Sequence, residues 1–203
     1  MLLATGVGLA QPTSSGPSFV GEWGSYGRGD GQFREPLGVA SDASGNIYVA
    51  DRNNQRIQKF DPDGEFITKW GIFGEEDGDF LYPIEVAADA SGNVYVVDQQ
   101  SPRVQKFDSE GNFVTKWGSY GDGDGQFRNP QGIATDASGN VYVADPYNSR
   151  IQKFDPEGNF ITKWGEYGSR DGELYYPEGL ATDRSGNVYV ADTYNNRIQR
   201  FGR

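Results

Sequence analysis

One interval governs this chain, and it is 47 residues long. Phe33, Phe80, Phe127 and Leu174 stand that far apart, as do Asp51, Asp98, Asp145 and Asp192, and Arg56, Arg103, Arg150 and Arg197. A fixed period of this size marks an array of supersecondary units, none of which can bury its apolar face alone. Residues kept in every copy are expected to serve architecture. Function is therefore sought where the copies differ.

The first copy reads as four short strands. Pro36-Leu37-Gly38-Val39-Ala40-Ser41 is followed by the turn Asp42-Ala43-Ser44-Gly45, and Ile47-Tyr48-Val49-Ala50 by the turn Asp51-Arg52-Asn53-Asn54-Gln55. Arg56 to Phe60 alternates, Asp61-Pro62-Asp63-Gly64 is a strong hairpin signal, and Phe66-Ile67-Thr68-Lys69-Trp70 closes the unit. No stretch sustains a helical period. Four tightly joined strands in each copy predict an all-β chain, a β-propeller of four-stranded antiparallel blades. A blade packs on both faces, which accounts for apolar residues on alternate sides: Ile47 and Val49 on one, Tyr48 and Ala50 on the other.

The ends of the array are offset. Phe201 corresponds to Phe154, so the last copy stops after its third strand, while Phe19-Val20-Gly21-Glu22-Trp23-Gly24 matches Phe113-Val114-Thr115-Lys116-Trp117-Gly118. The expected blades cover about 33–70, 80–117, 127–164, and 174–203 completed by 19–24. In this reading the N-terminal strand closes the ring on the last blade of its own chain or of a neighbour. Residues 1–18 read as a disordered leader or a signal-like segment, since apolar Leu2 to Ala10 precedes a polar stretch. That favours an extracellular or cell-surface location, with the cytoplasm as the alternative.

Composition narrows the chemistry. The net charge is −11, from 18 basic and 29 acidic residues, which disfavours nucleic acid and anionic membrane surfaces as partners. No membrane span is expected, because no apolar run approaches the necessary length. With no cysteine and no histidine, thiolate chemistry, disulfides, histidine triads and the usual transition-metal ligands are all excluded. The expectation is a non-enzyme with no cofactor, no metal site and no catalytic residue. A carboxylate-based hydrolase or lyase is the minor alternative, because Asp and Glu can do acid–base work without histidine.

Pro-x-Gly-Val-Ala, Ser-Gly-Asn-x-Tyr-Val-Ala-Asp, Asn-x-x-Arg-Ile-Gln-Lys-Phe and the closing Trp-Gly together resemble the NHL-repeat family of β-propellers, over about Phe19 to Arg203. The family's Asn-His-Leu is replaced, reading Asn54-Gln55-Arg56-Ile57 in the first copy. The resemblance implies a binding platform, often one domain of a larger protein and usually six-bladed, where this chain has four copies. Some members bind RNA through basic surfaces, and a related lyase uses a metal held by histidines. This sequence offers neither.

Several motifs read as structural. The Asp51/Arg56 pair and its counterparts are expected to brace a turn in each blade. Asp42, Asp89, Asp136 and Asp183 are expected at hairpin corners, and Trp23, Trp70, Trp117 and Trp164 to pack one per blade. Arg28-Gly29-Asp30 matches the integrin tripeptide by chance, and Asp122-x-Asp124 lacks the rest of a calcium loop. The variable positions lie in the second-to-third turn and the blade-to-blade loop, which share a face. Tyr26, Arg52, Phe73, Gln99, Tyr120, Tyr147, Tyr167 and Tyr194 are the candidate ligand-binding residues there, suited to a protein, peptide or glycan. A self-assembling block, forming larger rings or fibres as a homo-oligomer by strand exchange, is the alternative function. The second copy departs furthest, with Glu85 in place of Gly, Val97 in place of Ala, and Ser101-Pro102 before Arg103.

Overall fold

The computed structural model describes residues 18–202, so the expected leader lies outside the described residues except for its last position. Each copy folds as expected into an antiparallel meander. The first blade orders Pro36–Ser41, Ile47–Asp51, Arg56–Phe60 and Phe66–Trp70. The second orders Pro83–Ala88, Val94–Asp98, Arg103–Phe107 and Phe113–Trp117. The third runs Ile133–Thr135, Val141–Asp145, Arg150–Phe154 and Phe160–Trp164. The fourth has three strands: Pro177–Thr182, Val188–Asp192 and Arg197–Phe201.

The core lies between blades. Tyr48, Ala50 and Ile57 of the first blade meet Phe80, Val86, Val94, Val96 and Phe107 of the second. Equivalent clusters join the second blade to the third and the third to the fourth. Burial of such side chains contributes about 1.5–3 kcal/mol each, and here it is available only through a neighbouring blade. The tryptophans pack as expected. Trp70, Trp117 and Trp164 lie 5.6 Å from Phe107, Phe154 and Phe201 of the following blade. Gly111 and Gly158 seat two of these rings, since an added Cβ would stand 2.5 Å from the indole in each case.

Of the two expected closures, the one on the chain's own last blade is not formed. Four blades make three interblade cores among the described residues, and residues 19–24 form no strand. Val20 is 97% exposed, and Arg197–Phe201 is left as an edge. The propeller is therefore an open arc. Trp23 nonetheless packs on Phe60 of the first blade, at 5.9 Å, as every later tryptophan packs on the blade that follows it, so what is missing is the pairing of its segment with Arg197–Phe201. The N-terminal segment stays with that blade, and the fourth blade does not come round to meet it.

The repeated charges are architectural. Arg56 Nε donates to Asp51 Oδ2 at 2.8 Å, and its terminal nitrogens donate to the carbonyls of Arg28, Gly29 and Gln32 in the preceding loop. At the hairpins, Asp42 Oδ1 accepts the Ser44 and Asn46 backbone N–H groups, and its Oδ2 accepts from the Asn46 amide and the Tyr48 hydroxyl. Burial alone would raise the Asp42 carboxyl. These four donors outweigh it and hold the group below its ordinary range.

Candidate binding face

The second-to-third turns and the blade-to-blade loops do share one face. Asn54 Nδ2 in the turn donates to Gly27 O in the loop at 2.8 Å, and Asn148 and Asn195 repeat the contact with Gly121 and Gly168. A fully buried glutamine adds to the hold. Gln58 Oε1 accepts from Gly31 N at 3.0 Å and its Nε2 donates to Gln32 O at 2.8 Å. Gln105 and Gln152 make the same two contacts in their own blades. Loops gripped by their main chain at several points present their side chains without having to order on binding.

The candidates fall into three groups. Tyr147, Tyr167 and Tyr194 are drawn together by two residues that the sequence reading passed over, Tyr175 and Tyr176. Tyr176 stacks on Tyr194 at 4.6 Å and 10° and meets Tyr147 edge-on at 5.5 Å. Tyr175 contacts Tyr194 at 5.0 Å and Tyr167 at 5.1 Å. The result is a wall of five rings across the third and fourth blades. Arg52 and Gln99 form the second group, lining a cavity of about 670 Å³ at the concave centre of the arc, with Glu85, Gln131 and Glu178. Tyr26, Phe73 and Tyr120 stand on separate loops, strongly exposed, and Tyr26 carries the Arg34 guanidinium 5.1 Å over its ring.

Tyr176 holds φ at 58°, an uncommon conformation for a bulky side chain and one that costs on the order of 1–3 kcal/mol. Burial, a hydrogen bond with Tyr147 and nearby negative charge push its hydroxyl up to about 12. Glu178 stands at the foot of the wall, where its Oε2 accepts from Thr193 Oγ1 at 3.1 Å. At the opposite end Arg52 pairs with Glu35 and lies 4.6 Å over the Tyr82 ring. The signal for the missed pair was present: Tyr175-Tyr176 occupies the slot that reads Arg34-Glu35, Leu81-Tyr82 and Arg128-Asn129 in the other copies.

Other motifs are spoken for. Asp30 of the Arg-Gly-Asp tripeptide pairs with Lys69, Asp122 with Arg128 and Asp124 with Lys163. Among the described residues no group of three or more Asp or Glu side chains is placed to hold a metal ion, and no helix is long and apolar enough to cross a membrane.

Solved structures share this fold. Over 82% of the chain, a streptogramin B lyase superposes with a TM-score of 0.64 at 16% identity, the match covering 51% of that protein. A catalytically inactive histidine-to-alanine variant of Staphylococcus aureus virginiamycin B lyase, with quinupristin, gives 0.60 at 15%, over 82% of this chain and 55% of that one. In sequence, 43 residues are 54% identical to the B-box type zinc finger protein ncl-1 of Caenorhabditis elegans, covering 21% of this chain and 5% of the relative. A stretch of 56 residues is 48% identical to the E3 ubiquitin-protein ligase TRIM71 of Rattus norvegicus, covering 25% and 6% respectively. The chain thus spans about a twentieth of the length of these curated relatives. The family model of the NHL repeat matches residues 33–60, 127–154 and 174–201, three copies in the register set by the 47-residue period. The chain thus carries three matched NHL repeats on a β-propeller fold.

Proposed function

We propose that this propeller is a non-enzymatic interaction scaffold whose loop face binds a polypeptide segment bearing a basic side chain. The tyrosine wall above Glu178 carries the reading. Tyrosine rings supply rigid contact area at little entropic cost, and their faces attract a cation. Glu178 and Glu85 add carboxylates at the centre, within a chain of net charge −11. A Lys or Arg side chain lying along the wall would find ring faces and a carboxylate together. The same charge weighs against RNA as the ligand. The absence of histidine weighs against chemistry of the kind that the inactive lyase variant lost with its own histidine. The signal-like N-terminal composition favours a place outside the cytoplasm.

A displayed peptide library and a glycan array, probed with the same preparation, test the reading. Peptides with Lys or Arg beside an apolar residue are expected to be enriched. Tyr147→Ala with Tyr194→Ala should weaken the best of them at least tenfold, and both side chains are exposed enough that the fold should survive. Selection of glycans alone, or binding indifferent to the double variant, would refute it.

A further inference from the structure

The two ends of the arc fit each other. In the first three blades the fourth strand pairs with the third in one register: Ile57 with Trp70, Val104 with Trp117, and Ile151 with Trp164. The same spacing sets Ile198 against Trp23, Gln199 against Glu22 and Arg200 against Gly21. Ile57, Val104 and Ile151 are fully buried, whereas Ile198 is 68% exposed beside an edge strand whose natural partner sits unpaired at the other end of the chain. An exposed apolar edge of this kind is a ready template for pairing.

A second observation is independent of the strand. Gly132 lies so close to the innermost strand of the next blade that an added Cβ would stand 2.0 Å from Glu178 O, and Gly38 is similarly hemmed in by Glu85 and Ile84 O. Gly179 holds the same place in the fourth blade, yet its Cβ would meet only Ala191, at 3.4 Å. The fourth blade keeps clearance for a blade that is not there. Hydroxyls tell the same story. Thr135 Oγ1 donates to Ala88 O and Thr182 Oγ1 to Thr135 O, each reaching back one blade, and Ser41 holds the corresponding place at the open face of the first.

We propose that two copies of this chain close head to tail into one eight-bladed ring, each lending residues 19–24 as the fourth strand of the other's last blade. Propellers hold about four to eight blades. With four per chain, only rings of four and eight fall in that range, and four blades leave this arc open. Each seam buries Trp23, Leu37, Val39 and Ile198. It brings Gly179 of one copy against the innermost strand of the other's first blade, and lets Ser41 donate across it to Thr182 O. A two-fold axis makes both seams identical and leaves no edge from which a filament could grow. The central cavity, open on one side in the single chain, is then walled by both copies. The assembly does not depend on what the loop face binds.

Two measurements on the 203-residue chain test this. Native mass spectrometry is expected to give twice the 22.3 kDa chain mass. Gly179→Val, which has room in the single chain, should return it to one chain mass with an unchanged far-ultraviolet circular dichroism spectrum. The second test places the only two cysteines in the chain, through Gly21→Cys with Arg200→Cys. Air oxidation should yield a dimer on non-reducing gels and no larger species. A monomeric wild type, a dimer indifferent to Gly179→Val, a disulfide formed within one chain, or a ladder of higher multimers would each overturn the two-chain ring.

Discussion

The second and third blades and the two end blades are written in nearly the same words, and they live in different surroundings. Val86 is 3% exposed, while its counterpart Val39 in the first blade is 59% exposed. Ile151 is wholly buried, while Ile198 in the fourth stands largely in water. The repeat does not carry its own core. It carries half of two cores, and each half becomes stabilising only against a neighbour, as expected of a quasi-one-dimensional array.

The largest expected effect breaks this comparison at its centre. Ile151→Ala should cost about 2–4 kcal/mol in urea unfolding, from lost transfer energy and the cavity left behind. Ile198→Ala should cost less than about 0.5 kcal/mol at dilutions low enough to separate the copies. If pairing between chains buries Ile198, its cost should grow with protein concentration. Equal costs at the two sites, independent of concentration, would refute the contrast.

A second contrast lies within the buried pair. In the first, third and fourth blades an asparagine (Asn54, Asn148, Asn195) donates to the turn aspartate, at 2.9, 2.7 and 2.9 Å. The second blade has Ser101 there, its Arg103 reaches Asp98 only at 3.3 Å, and Arg103 Nε lacks a partner. Burial pushes the Asp98 carboxyl up, and its remaining donors do not offset that. Ser101→Asn should restore the missing bond and raise stability by about 1 kcal/mol, read as a higher urea midpoint at constant slope. No gain would mean that the Pro102 turn cannot present the amide.

The smallest effect concerns Glu85, the carboxylate standing where the other copies have glycine. Burial raises its pKa, and the Val86 N–H only partly compensates. Below its unfolded value, near 4.3, the group is protonated in both states and costs nothing. As pH rises through the higher folded value, ionising it in place destabilises the fold. Glu85→Gln should therefore melt about 2 °C above the parent at pH 7 and level with it at pH 3.5. A gain that persists at pH 3.5 would refute this assignment.

Much of the architecture could be read before any coordinates. The period located the blades, and the tryptophan spacing and turn chemistry located their packing and corners. Three things could not be read. The glutamine clamp was hidden because Gln58 sits in a strand position whose sequence gives no hint that both ends of its amide will find loop backbone. Tyr175 and Tyr176 were passed over because they precede the first strand, outside the two segments expected to vary. The openness of the arc was illegible for a deeper reason. The angle between blades is set by how side chains wedge between sheets, and matching ends such as Trp23 and Ile198 show which edges agree, not how far apart they stand.

The grip on the long loops has a consequence for how such a surface can change over time. Within the long loop, Arg56 and Gln58 take hold of main-chain atoms alone, at Arg28, Gly29, Gly31 and Gln32, and their counterparts do likewise. This part of the hold does not depend on the chemistry of the loop's own protruding groups. Mutation can therefore redecorate one blade at a time, as it has between Tyr26 and Phe73, without re-engineering the framework beneath.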